Sequence, residues 1–201
     1  MDIGALILMG GKNSRMNGNV KGLLKIKNST FLEKIQETLN DFSSIYLSIN
    51  DKFSKEQKQN FENMGFKIIE DIYKEIGPLG GIYSSLLNCK EEYLFITACD
   101  MPFITKNSIE VLCNKVDKNT DGVVFYDKNN TLYPLGAIYS KNVLPIIEEM
   151  IEKKYYKLSY LIEKSNFVKI NIEKTDIPLK VLSNINTLQE YDLFINNESL
   201  F

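Results

Sequence analysis

The sequence predicts an α/β protein, a three-layer α/β/α sandwich of Rossmann-like type around a mostly parallel sheet, and three observations lead there. Residues 3–9 form an unbroken apolar run closed by a glycine pair, the pattern of a strand buried on both faces. Strand-like and helix-period segments alternate along the rest of the chain. The residues with most chemistry to offer, Gly10, Gly11, Asn50, Asp71 and Asp100, fall where the strands end, which is where open α/β sheets bind ligands.

Each element has its own warrant. Thr30 and Glu33 make a capping box, and Leu32, Ile35, Leu39 and Phe42 follow at helical spacing. Ile45 to Ile49 reads as a second strand, and Ser54 opens a polar helix stopped by Gly65. A third strand over 66–69 ends at Glu70-Asp71. The run Gly77-Pro78-Leu79-Gly80-Gly81 leads into a helix through about Asn88. Tyr93 to Ala98 is a fourth strand, Thr105 to about Val116 a helix, and Gly122 to Tyr126 a strand. Asn129-Asn130 turns that strand into a hairpin with Leu132 to Tyr139. A helix from about Asn142 to Lys153, a strand from Phe167 to Ile172 and a last helix boxed by Thr187 and Glu190 complete the pattern. Residues 1–201 show no repeat and no linker, so one domain is expected, with a nucleotide-binding half over about 1–100 and an acceptor-binding half over about 101–201.

Composition removes several classes of function. Net charge is −2 at pH 7, so no global field draws in nucleic acid or an anionic membrane, and anion binding has to be local. The chain has no histidine, which excludes Ser-His and Cys-His nucleophiles and the usual zinc sites. Cys89, Cys99 and Cys113 form no C-x-x-C pair, and no apolar run approaches the ~18 residues of a membrane span. With no basic leader read at the N-terminus, the expectation is a cytoplasmic protein.

The first glycine segment is Leu8-Met9-Gly10-Gly11-Lys12-Asn13-Ser14-Arg15-Met16, and Arg15 is the only arginine of the chain. Glycines let backbone N–H groups approach an anion, and a guanidinium offers a rigid fork to phosphate oxygens. The segment is neither a Walker A loop nor a G-x-G-x-x-G fingerprint. Taken with Lys21-Gly22-Leu23-Leu24 it resembles the signature of nucleotidyltransferases of the nucleotide-diphospho-sugar transferase superfamily. Within that superfamily it is similar to the molybdenum cofactor guanylyltransferases, the MobA-like family. The likeness continues through Glu70-Asp71, Gly77-Pro78-Leu79-Gly80-Gly81, Cys99-Asp100-Met101-Pro102, Pro134-Leu135 and Asn184-Ile185-Asn186-Thr187.

The resemblance implies the nucleotide-diphospho-sugar transferase fold and transfer of GMP from GTP to the phosphate of molybdopterin, with Mg²⁺ required and pyrophosphate released. It also implies transient contacts with enzymes that make or receive the cofactor. The family's nucleotide-contacting positions fall on Leu8, Met9, Gly10, Lys21, Asp71 and Asp100, and its metal ligand on Asp100; its second-strand asparagine falls on Ser48 or Asn50. Gly11 and Gly80 join the expected nucleotide contacts, while Asn184 and Asn186 fall where the family contacts the acceptor. Arg15, Lys21 and Asp100 are the expected catalytic residues, since phosphoryl chemistry is mostly positioning and charge. Asp71 suits the base, because guanine presents two adjacent N–H donors and a carboxylate can accept both. Tyr155, Tyr156 and Tyr160 could flank a flat pterin. Val20, Tyr133 and Leu188 depart from the family pattern, and its acceptor-side arginine near Leu158-Ser159 is missing. The alternatives are a cytidylyltransferase, a sugar-phosphate nucleotidyltransferase, or a non-catalytic nucleotide-binding adaptor.

Overall fold

Strand β1 (Ile3–Leu8) lies in the middle of the sheet because both its faces are apolar: from Gly4 onward every residue is buried. The computed structural model describes residues 2–10, 20–26, 28–187 and 189–191. In chain order the further strands are β2 (Lys25–Ile26), β3 (Ser29–Thr30), β4 (Ile45–Ile49), β5 (Lys67–Glu70), β6 (Tyr93–Ala98), β7 (Gly122–Tyr126), β8 (Leu132–Ser140) and β9 (Phe167–Asn171). Seven of them form one sheet in the order β5-β4-β1-β6-β8-β7-β9, and β2 and β3 pair in a separate two-residue ribbon. Within the large sheet only β8 runs antiparallel to its neighbours, β6 and β7.

The helices are α1 (Phe31–Thr38), α2 (Lys55–Asn63), α3 (Pro78–Asn88), α4 (Lys106–Cys113), α5 (Leu144–Glu152) and α6 (Leu158–Lys164). Strand alternation sorts them into layers. Ala5 and Ile7 pack with Ile35 of α1, Phe61 of α2 and Ile109 of α4. Their neighbours Leu6 and Leu8 point the other way, to Ile82 of α3, Ile147 of α5 and Leu161 of α6. The capping box read from sequence at Thr30 forms, Ser54 opens α2 as expected and does so with a box to Gln57, and Thr105 caps α4 through Ser108.

The connections fix where a ligand can sit. From β1 the chain moves outward to β4 and β5, and α3 then carries it back over the opposite face to β6, on the other side of β1. The strand order therefore reverses between β1 and β6, and the crevice beyond the carboxyl ends of those strands is the switch point of the sheet.

Strand β8 carries a bulge. Val123 pairs with Ile138 and Phe125 with Tyr133, so one residue of β7 faces four of β8, and Gly136 takes a left-handed φ of 70°. Pro134, which has no amide to give to a ladder, sits in this interruption, and its carbonyl accepts from the buried Tyr139 hydroxyl at 2.7 Å. Pairing of β8 with β6 stops at Ile96–Ala137, leaving Thr97 and Ala98 beyond the ladder.

Two elements differ from the sequence expectation. Helix α6 was not foreseen; Leu158, Leu161 and Ile162 give it a buried stripe, but seven residues are too few for a clear period. The helix expected over about 142–153 is a 3-10 turn at Lys141–Val143 followed by α5, which has a proline in its first turn. Residues 189–191 are helical after the Thr187–Glu190 box, as expected of the start of the last helix, and the residues past Tyr191 lie outside the described residues. No helix among the described residues is long and apolar enough to cross a membrane.

Gly122 tests the packing of the reversed strand. A Cβ there would lie 2.3 Å from the Ile138 carbonyl oxygen and 2.3 Å from the Phe167 ring. Gly122→Ala is expected to cost about 1–3 kcal/mol, read as a lower urea midpoint with an unchanged slope.

Candidate active site

The ladders around β1 run one residue past its end. Met9 donates its amide to the Ser48 carbonyl at 2.9 Å, and Cys99 donates to the Leu8 carbonyl at 3.0 Å. The backbones of β1, β4 and β6 are thus still in register where their side chains change from apolar to polar, and Gly10, Asn50, Asp71 and Asp100 share that edge.

On one side of β1 stands Asp71. Its Oδ1 accepts from the Ser48 hydroxyl at 2.6 Å, and its amide bonds to the Ile49 carbonyl. Burial pushes its carboxyl up from the ordinary aspartate value, and the Ser48 hydrogen bond opposes that shift. Two glycines close on this pair. A Cβ on Gly10 would fall 2.7 Å from Asp71 Oδ2, and one on Gly81 would fall 2.5 Å from Ser48 Oγ and 2.8 Å from Leu8. Gly80 meets a different constraint, since its Cβ would lie 2.5 Å from the Tyr73 carbonyl oxygen. Ser84 joins the segment after Asp71 to α3, accepting from the Ile72 amide and donating to the Gly80 carbonyl, both at 2.8 Å. Asn50 donates to the Gly10 carbonyl at 2.8 Å and accepts from the Lys52 amide, so both ends of its amide hold backbone.

On the other side stands Asp100. Lys21, in a 3-10 turn over Lys21–Leu23, donates to Asp100 Oδ2 at 2.8 Å and to Asn186 Oδ1 at 2.9 Å. Gly22 lets this turn lie on the strand ends: its Cβ would come 3.0 Å from Met9 Sδ and 3.1 Å from Cys99 Cβ. The side chains of Lys21 and Asp100 keep only 15% and 13% of their surface exposed, so the ion pair is well shielded. Asp100 Oδ1 is buried and has no hydrogen-bond partner among the described residues. The Asp100 carbonyl accepts from the Ile185 amide at 2.8 Å, which ties the segment carrying Asn186 to the same edge. Cys99 contributes no nucleophile, because burial and the neighbouring Asp100 charge push its thiol up to about 12.

The donor set suits one kind of cation. No cluster of three or more His, Cys, Asp or Glu side chains occurs among the described residues. The protein offers a single unpartnered carboxylate oxygen at Asp100, which is how Mg²⁺ is held when phosphates and water complete its shell. The residues present fit Mg²⁺ on a nucleotide and do not fit a metal held by protein alone.

The expected site residues divide accordingly. Leu8, Met9, Gly10, Asn50, Asp71, Lys21, Asp100 and Asn186 gather at the carboxyl edge of the sheet; Gly11 and Arg15 lie outside the described residues. Gly80 packs beneath Tyr73, and its neighbour Gly81 faces Asp71 and Ser48. Asn184 is exposed, whereas the Asn186 side chain is engaged with Lys21. Tyr155 and Tyr160 meet edge to face at 4.8 Å in a 430 Å³ groove between α5 and α6. That groove's lining includes none of the strand-end residues. Tyr133 donates to Asp127 in the β7–β8 turn, and Val20 packs against the core. Sequence reasoning quoted Gly22 only within the Lys21-Gly22-Leu23-Leu24 motif and missed Ser84. The signal for Ser84 was a hydroxyl four residues after a helical glycine, the spacing that lets it bond back to that carbonyl.

Comparison with known proteins adds the family. Residues 5–167 match the MobA-like NTP transferase domain. A Clostridium perfringens protein named a probable molybdenum cofactor guanylyltransferase is 35% identical over 204 residues, covering 98% of each chain. One of the same name from Flavobacterium johnsoniae is 35% identical over 193 residues, 94% of this chain and 95% of its own. Among solved structures, molybdopterin-guanine dinucleotide biosynthesis protein A from Archaeoglobus fulgidus superposes with a TM-score of 0.80 at 23% identity, over 98% of this chain and 99% of that one. This last likeness speaks for the fold.

The raised carboxyl of Asp71 has a measurable sign. The folded protein holds that proton more tightly than the unfolded chain, so stability falls as pH rises through the window from the ordinary aspartate value to the raised folded one. Asp71→Asn removes the loss. Without nucleotide, its melting temperature relative to wild type is expected to climb across that window and then level; a difference flat with pH would refute the assignment.

Proposed function

The chain belongs to the family of MobA-like NTP transferases, and on that footing we propose that it transfers GMP from GTP to the phosphate of molybdopterin, forming the guanine dinucleotide cofactor and pyrophosphate. The observation that carries the reading, in a chain of this family, is the gathering of Lys21, Asp71 and Asp100 about the carboxyl end of β1. The nucleotide lies across the switch point, its base toward Asp71 and its triphosphate toward Lys21 and Asp100.

The acceptor is a phosphate monoester, largely dianionic near neutral pH because its second ionisation lies at about 6. An acceptor oxygen forms a bond to the α-phosphorus as the bond from that phosphorus to the bridging oxygen of the β-phosphate breaks, and pyrophosphate leaves with the electron pair. No proton has to be removed from the nucleophile, so a chain without histidine can run the reaction. The work left to the protein is alignment and charge. Lys21 supplies a cation already held by Asp100 and Asn186, and the glycine at position 10 lets the Asp71 carboxylate stand close against the backbone. When bound at Asp100, Mg²⁺ supplies Lewis-acid neutralisation of the phosphate oxygens. The residues up to about 100 form the nucleotide half of the site, and the segment around Asn186 closes it from the acceptor half.

The direct test is the mass of the product formed from GTP, Mg²⁺ and molybdopterin. A guanine dinucleotide is expected; a cytosine product, or transfer to a sugar phosphate in place of the pterin, would overturn the reading. Lys21→Ala and Asp100→Ala are each expected to lower turnover on the order of 10²-fold or more. Loss of stability by about 1 kcal/mol with full activity would mark Asp100 as a helix or turn cap instead.

Base choice gives a separate check. GTP and ITP share N1–H, and ITP lacks the 2-amino group. One charge-assisted hydrogen bond in a shielded site corresponds to ~1.5–3 kcal/mol, so GTP is expected to exceed ITP by roughly ten- to a hundredfold in kcat/KM. Equal use of GTP, ITP and CTP would remove Asp71 from base recognition.

A further inference from the structure

We infer that Ser48 is a positioning residue for base selection: it fixes the carboxylate plane of Asp71 so that the side chain meets a purine with two adjacent N–H donors already oriented. The inference rests on the reading of Asp71 as the base-recognising group and adds a residue that acts through it.

Four observations carry it. Ser48 is the polar residue in the run Ile45-Tyr46-Leu47-Ser48-Ile49, and it is 1% exposed. A hydroxyl buried that deeply needs a partner, and it donates to Asp71 Oδ1 at 2.6 Å, a short, charge-assisted contact. Among the described residues no donor reaches Asp71 Oδ2, so the carboxylate is anchored through one oxygen and free at the other. The free oxygen lies over Gly10, where a Cβ would stand 2.7 Å away, and the anchored end lies under Gly81, where a Cβ would stand 2.5 Å from Ser48 Oγ. Both flanking residues have to be glycine for the pair to keep this place, and the two sides face the end of β1 and the start of α3, between which the base would enter.

The physical role follows from the torsion that Ser48 removes. An aspartate carboxylate rotates broadly about its terminal bond. A carboxylate free to rotate presents two oxygens to a base in only part of its range, so ordering it has to come out of binding. With Oδ1 held, each oxygen keeps a lone pair for the ligand in a fixed plane, and a base that lacks one of the two donors forfeits one prepared contact. Pyrimidines that do not present two adjacent donors forfeit more. Ser48 thus acts on discrimination between bases, and the reacting phosphorus is out of its reach.

The experiment is a double-mutant cycle of Ser48→Ala with Asp71→Ala, measuring kcat and KM for GTP and ITP at saturating molybdopterin and Mg²⁺, with melting temperatures to confirm that each variant is folded. Ser48→Ala is expected to raise KM for GTP about tenfold with kcat close to wild type, and to lower the GTP-over-ITP preference by a similar factor. On the Asp71→Ala background it is expected to change neither quantity, because the hydroxyl has lost the group it acts through. Equilibrium binding of GTP and ITP by the folded fraction checks the same ratio if a variant is unstable. Retention of full preference by Ser48→Ala, or an equal loss with and without Asp71, overturns the inference while leaving Asp71 in place. A GTP preference that survives Asp71→Ala overturns the base assignment itself, and the inference with it.

Discussion

Strand β1 has no face to give to solvent. Its side chains enter apolar clusters above and below the sheet, and its backbone is paired on both sides, so its end is the one place where it can meet water or a ligand. Covering both faces takes helices in two layers, and reaching both layers takes connections that cross in opposite directions from β1. The reversal of strand order beside β1 follows from that burial, and so does the crevice. Gly10 stands at the mouth of the crevice, where a side chain would strike Asp71.

Around this point the structure keeps two carboxylates in different states of compensation. Asp100 is matched by a lysine on one oxygen and has no partner among the described residues on the other. Asp71 has no cation among the groups that shift its carboxyl, and a single hydroxyl opposes its desolvation. Both arrangements cost stability, at Asp100 through a buried oxygen without a partner among the described residues and at Asp71 through desolvation of its charged form. On the proposed function each would be relieved by a ligand of matching chemistry, a divalent cation with phosphates at one and paired N–H donors at the other. Selectivity of this kind would come from leaving one carboxylate oxygen at each position without a protein partner among the described residues.

Much of this was legible in the chain. Strand ends could be placed because glycine and acid interrupt apolar runs, and the caps at Thr30 and Ser54 are local chemistry that needs no tertiary context. The gathering of Gly10, Asp71 and Asp100 followed from the α/β rule once the strands were parallel. What the sequence left open was decided by contacts between residues far apart in the chain. Ser48 and Asn50 were alternatives for one position, and the sheet gives the first to a carboxylate and the second to backbone. Asn186 read as a contact for the acceptor, and its side-chain oxygen accepts from a lysine 165 residues away. Gly80 and Gly81 are indistinguishable as letters; a helical turn of 100° places one under a carbonyl and the other beside the site.

The bulge in β8 has a consequence for how such a protein can change. Four residues, Pro134 to Ala137, stand opposite one residue of β7, and only the last of them, Ala137, still pairs with β6. A ladder that is broken at this point transmits no register from its outer part to its inner part. Substitutions or length changes in the turn before Pro134 therefore leave the buried stretch from Ile138 to Ser140 in step with β6, and with it the strand that delivers Asp100. The bulge behaves as an expansion joint. Outward of it lies the turn where Tyr133 donates to Asp127, free to vary in sequence and length, and inward of it the strand that carries Asp100 keeps its place.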